Sequence, residues 1–187
     1  MHRKSTRKKS TPPKGALVRT EKIDNITAYT LPSNGLRVLY AHIPGSETVT
    51  TSIVYLVGSR HEETGDTGLA HMLEHMLFKP TRGKGVKWKD LENRGAHLNA
   101  TTWLDRTLYY FTLPKEHLGD MLQVEADRMR NTLLTDAEFI PERANVLSEY
   151  EIQNSNPGEV LSWNVIATAF QNHGYHHDTI GWRSDIE

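Results

Sequence analysis

Apolar and polar positions change period several times along the chain, and each change marks an element. Residues 26–31 and 36–43 are rich in apolar and β-branched side chains. They flank Pro32-Ser33-Asn34-Gly35, so the pair reads as a hairpin. Thr48 to Val57 is a β-branched run and predicts a third strand. The pattern then turns helical. Residues 66–79 open with the cap-type pair Asp66 and Thr67 and run without a breaker to Pro80. Leu69, Met72, Leu73, Met76 and Leu77 occupy nearly every face, which predicts a buried helix. A basic, glycine-rich connection at 81–85 follows, then a short helix over 86–94 and two strands at 97–104 and 107–113. Further helices are expected at 115–131, 141–153 and 159–171. Pro141 fits the first turn of the second of these, and Asn156-Pro157-Gly158 separates the last two. Strands with antiparallel connections followed by a block of helices predict an α+β fold, an antiparallel-rich sheet packed on one face by helices.

Composition adds limits. With 187 residues and 37% apolar content, one domain with a substantial core is expected. No stretch approaches the roughly 20 apolar residues of a membrane span, so no membrane partner is expected. The formal net charge of -1 hides an asymmetry: residues 1–15 carry six Lys or Arg and no acid. The sequence therefore divides into a disordered basic N-terminal arm over 1–20 and a domain over 21–187. The arm lacks the apolar face of a targeting helix and the apolar segment of a secretory signal, and a cytoplasmic location is expected. It also lacks any recognition motif, so nucleic acid is not an expected partner.

The chemistry is concentrated in His71-Met72-Leu73-Glu74-His75. On a helix, His71 and His75 lie one turn apart on one face, and both imidazoles can reach a single metal ion. Glu74 sits between them, where a carboxylate can take a proton from an activated water. This HxxEH spacing is the zincin arrangement reversed. Chance alone would place it in roughly one of 25 such sequences, so context has to support it. A hydrolytic zinc site takes three protein ligands, and with no cysteine in the chain the third must be His, Asp or Glu. Residues 135–153 offer candidates. Thr135 and Glu138 have capping-box spacing. Glu142 and Glu149 lie two helical turns apart on one face, and Glu151 points nearly the opposite way. Phase offers Glu149 as a ligand and Glu142 as a further carboxylate on the same face. Taken without the HxxEH helix, the same residues read as a solvated acidic stripe.

Four blocks in order resemble the M16 peptidase family, the inverzincins. They are Gly58-Ser59-Arg60 with Glu62 and the run Gly68 to Lys79; Gly95 to Thr102 with Thr107 and Tyr109; Glu142-Arg143, Val146 and Glu149; and Gly174-Tyr175-His176 with Ile180-Gly181. Pro80 stands where that family commonly has glycine. S-ribosylhomocysteine lyase also carries HxxEH, but it relies on cysteines that this chain lacks. The M16 resemblance implies a Zn²⁺ ion held by His71, His75 and Glu149, with Glu74 as general base. It counts Glu142 in the catalytic set, where it orients a ligand. It further implies that Asn99 and Ala100, on an edge strand, bind the extended peptide substrate, and that Phe78 lines the pocket beyond the scissile bond.

Two functional classes follow. In one, the chain is the catalytic domain of a zinc endopeptidase acting on unfolded or extended peptides, and it works with a second M16-type domain or homologous subunit. In the other, it is a non-catalytic regulatory or binding subunit that keeps the fold. The presence of the complete catalytic set favours the enzyme. The sequence reaches Glu187 within the first such domain's worth of residues, so an incomplete subunit is expected.

Overall fold

The computed structural model describes residues 15–187. The expected arm thus lies outside the described residues up to position 14, and its positions 18–20 belong to a strand. Strand β1 (Val18–Ile23) pairs antiparallel with β2 (Ile26–Leu31), which pairs antiparallel with β3 (Leu36–Ala41). Asp24 turns the chain between the first two with φ 51°, a left-handed conformation its short polar side chain tolerates. The expected hairpin is therefore the second half of a three-stranded meander. This meander forms one compact unit, ending at Ser46.

Residues 47–187 form the second unit. Its sheet has the order β4-β6-β5, with β4 at Thr48–Tyr55, β5 at His97–Thr102 and β6 at Thr107–Pro114. All pairings are antiparallel, with Ile53 and Ala100 both opposite Tyr109. Alternation along β6 is strict: Thr107, Tyr109, Phe111 and Leu113 are buried and the residues between them are not. This is the period-2 signature of a sheet covered on one face. Helices α2 (Trp88–Glu92) and α3 (Leu118–Asn131) help cover that face, with Leu91, Met121 and Val124 packed on Phe111 and Leu113.

A second cluster joins helix α1 (Leu69–Met76) to α4 (Asp136–Asn154) and to the short C-terminal α6 (Arg183–Ile186) through Met72, Met76, Val146, Ile180 and Ile186. Two expectations change here. Helix α1 is not buried all round: Leu69 is 62% and Leu73 44% exposed. They lie one turn apart, on a side that is only partly covered. Helix α4 starts at Asp136 and carries Pro141 inside it. The ring removes a single N–H, the one that would bond the Ala137 carbonyl, and a 19-residue helix tolerates that loss near its start. Thr135 is the N-cap residue, but its side chain makes no cap hydrogen bond.

Helix α5 (Pro157–Ala169) opens with Pro157 in its first turn, while the Asn156 side chain accepts the Gly158 N–H at 2.9 Å. The separator expected from the sequence is thus the start of the helix itself. Among the described residues, no helix is long and apolar enough to cross a membrane.

Candidate metal centre and active site

Helix α1 presents His71 and His75 on one face, and α4 brings Glu149 against them. The His71 and His75 Nε2 atoms are 3.2 Å apart, and Glu149 Oε2 lies 3.6 Å from the first and 3.5 Å from the second. These three form the one group of three or more metal-ligating side chains among the described residues. The carboxylate distances are too long for good hydrogen bonds. They suit ligands converging on a point instead: a tetrahedron with metal–ligand bonds of about 2.0–2.1 Å has edges of about 3.3–3.4 Å. The observed triangle matches those edges, and two imidazoles with a carboxylate are a donor set suited to zinc.

Protonation agrees with that geometry. Burial, and then the neighbouring His75, lower the His71 pKa to about 4, so this imidazole is neutral and free to ligate at neutral pH. The His75 ring is fixed from behind, where its Nδ1 lies 2.9 Å from Glu142 Oε1. Glu142 is also ion-paired with Lys79. Burial alone would raise the Glu142 carboxyl pKa, but the hydrogen bonds from Lys79 and His75 outweigh it and hold the pKa below the usual value. Glu142 therefore meets the His75 ring at Nδ1, while the other ring nitrogen faces His71 and Glu149. An ionised partner of this kind orients a ligating imidazole and makes it more basic.

Glu74 is buried beside this group, and its Oε2 accepts the Thr102 hydroxyl at 2.6 Å. Burial raises its pKa, partly opposed by Thr102 and His75. Thr102 was not singled out in the sequence. Its signal was alternation, since Leu98, Ala100 and Thr102 share the covered face of β5 and a buried hydroxyl there needs a partner. Thr107, opposite Thr102 on β6, gives its own hydroxyl proton to the Val57 carbonyl at 3.0 Å. The Thr107 oxygen lies 3.4 Å from that of Thr102, so the closer Glu74 takes the Thr102 proton.

Asn99 and Ala100 lie on β5, an edge strand of the β4-β6-β5 sheet. The Asn99 side chain is exposed and accepts the Ala100 N–H at 2.8 Å. Phe78 lines a largely apolar cavity of about 300 Å³ together with Trp88, Leu98 and Phe111. Its ring meets Trp88 edge-on, and the buried Arg128 guanidinium lies over Phe78 at 5.8 Å and over Tyr109 at 4.1 Å. Glu151 faces away from the metal group and pairs with Arg183.

Comparison with known proteins places the chain in a family. The family model described as insulinase (peptidase family M16) matches residues 37–181. The probable mitochondrial-processing peptidase subunit beta of Schizosaccharomyces pombe is 35% identical over 163 residues, 86% of this chain and 36% of that protein. The zinc protease PqqE of Helicobacter pylori is 34% identical over 158 residues, 82% of this chain and 36% of that protein. The crystal structure of a protease from Helicobacter pylori superimposes with a TM-score of 0.80 at 34% identity, covering 86% of this chain and 39% of that one. The chain thus spans little more than a third of the length of these relatives. With the family model matched across most of its length, the chain belongs to peptidase family M16.

Proposed function

We propose that this chain carries the catalytic centre of a zinc endopeptidase that hydrolyses unfolded or extended peptides. The observation that carries this reading is the near-equilateral triangle of His71 Nε2, His75 Nε2 and Glu149 Oε2, with a buried carboxylate beside it. When bound there, zinc supplies Lewis acidity that makes water a nucleophile near neutral pH. Glu74, no member of the metal group, takes the proton of the attacking water and returns it to the leaving amine. Thr102 holds one carboxylate oxygen of Glu74, which leaves the other for that transfer. Glu142 keeps the His75 ring aimed at the ion.

The substrate reading rests on β5 and Phe78. An edge strand offers unpaired backbone groups that an extended peptide can join as a further strand. Asn99 and Ala100 would hold that peptide, and the cavity lined by Phe78 would take the side chain that follows the scissile bond. A second M16-type domain or subunit would close the other side of the site. One relative is named as a subunit beta, which supports a multi-subunit arrangement.

Metal analysis tests the reading. The wild-type chain should hold about one equivalent of zinc and His75→Ala much less, by the three-ligand rule. Undiminished zinc in His75→Ala would refute the ligand set.

A further inference from the structure

The two histidines of the metal group are held in different ways. His75 has Glu142 behind its ring. The corresponding atom of His71, Nδ1, is buried and has no hydrogen-bond partner among the described residues. Metal-ligating histidines nearly always have their second nitrogen tied down, because that bond sets the ring's orientation. Apart from an edge-on contact with the His75 ring, the placement of His71 therefore depends on its backbone, the first turn of α1.

That turn is held from outside the helix. Its N-cap residue, Gly68, has φ 90° and offers no side chain to cap the turn. Glu62, six residues upstream, reaches back instead. Its Oε2 accepts the Gly68 N–H at 2.8 Å, and its Oε1 accepts the Ala70 N–H at 2.7 Å. Each carboxylate oxygen thus holds one amide, and the second belongs to the residue before His71. The Glu62 side chain is only 6% exposed. A buried carboxylate needs compensation, which two N–H donors and the positive end of the helix supply. The fully buried His177 ring, with Nδ1 3.9 Å from Glu62 Oε2, closes the far side. The intervening loop is held as well, since Asp185 Oδ2 accepts the Gly65 N–H, the Thr67 N–H and the Thr67 hydroxyl.

We infer that Glu62 is a positioning residue for the metal: its two-point grip on the first turn of α1 substitutes for the missing partner of His71 and fixes that ligand for zinc. This rests on the zinc reading proposed above. It assigns a role to a residue that neither ligates the metal nor touches a ligand side chain.

Competition of the 187-residue chain against a chromogenic zinc chelator tests it, with Glu62→Gln compared to wild type. A glutamine keeps the size but can accept through one atom only, so one amide loses its bond. Zinc affinity should fall at least about 10-fold, the lower end for removing an outer partner of a ligand. Visible absorption of the Co²⁺-loaded chain should change with it. Leu113→Ala, in the core cluster that excludes α1, serves as a control for lost stability. It should lower the melting temperature and leave metal affinity unchanged. Should Glu62→Gln fail to fold, Glu62→Asp, one methylene shorter and unable to reach both amides, is judged by the same criteria. Wild-type affinity in the Glu62 variant, or an equal loss in Leu113→Ala, overturns the inference. A wild-type chain whose zinc binding ignores His75→Ala would instead overturn the zinc reading beneath it.

Discussion

In the proposed mechanism Glu74 carries a proton rather than a metal. A buried carboxyl with a raised pKa is a better proton acceptor than a solvated one, and its bond to Thr102 fixes its direction. In an active assembly, Glu74→Gln should keep zinc and lose at least about 100-fold in turnover, the lower end for a general base. Steady-state kinetics with parallel metal analysis checks this, and zinc lost along with activity would make the carboxylate structural. His71 gives a pH signature in the metal-free chain. Its folded pKa of about 4 lies below the ordinary value of 6.5, so between these values the unfolded chain binds more protons than the folded one. Stability must then rise with pH across that window, and acidification from pH 6.5 toward 4 must remove it. Melting temperatures of the metal-free chain should fall over that interval, and more steeply than those of His71→Ala. Parallel slopes in the two proteins would refute the assignment.

At the scale of elements, α1 is held at its start by close backbone packing. Gly181 has φ 85°, and a Cβ there would come within 2.4 Å of the Thr67 carbonyl, just ahead of α1. Gly181→Ala should therefore be strained and crowded together, lowering the melting temperature and loosening α1; faster proteolysis of residues 63–68 would report the second effect. Phe111→Ala empties a different place, the sheet core, and should cost about 3–5 kcal/mol in urea unfolding. Much of this architecture was legible in the chain. The strict alternation of β6 and the one-face spacing of His71 and His75 are local patterns, and each identified its element. Glu149 was legible through helical phase. Other features depend on what packs where. Leu69 and Leu73 are apolar yet exposed, because periodicity cannot say which apolar face of a helix finds a partner. Strand β1 was hidden because the arm was drawn to position 20, and because Arg19, Glu21 and Lys22 leave its pattern without a run of apolar positions. Pro141 suggested a boundary, but tertiary packing of Glu142 and Val146 carries the helix through it. Thr102 and Glu62 act on groups that only the fold brings close.

At the scale of the molecule, the metal group is shielded unevenly. The histidine side chains are 18% and 16% exposed, whereas that of Glu149 is 46% exposed. Water on that side weakens every electrostatic interaction the site uses, and closure of an active site normally removes it. Strand β5 adds a second open feature, since one row of its backbone groups has no neighbouring strand in its sheet. A peptide docked there by strand pairing alone would be held by few contacts and would leave readily. The relatives are more than twice as long as this chain, so they have ample further residues with which to cover such a site. We therefore expect the 187-residue chain alone to cleave an unfolded peptide slowly or not at all, while still binding zinc. Joined to, or mixed with, a second M16-type domain, it should gain at least about 100-fold in kcat/KM, because exclusion of water and positioning of the scissile bond act together. Assays of a quenched fluorescent peptide with and without the second domain measure this directly. Equal rates in the two preparations would show that α1, α4 and the β5 edge suffice, and that the exposed side of Glu149 is a working entrance rather than an unclosed wall.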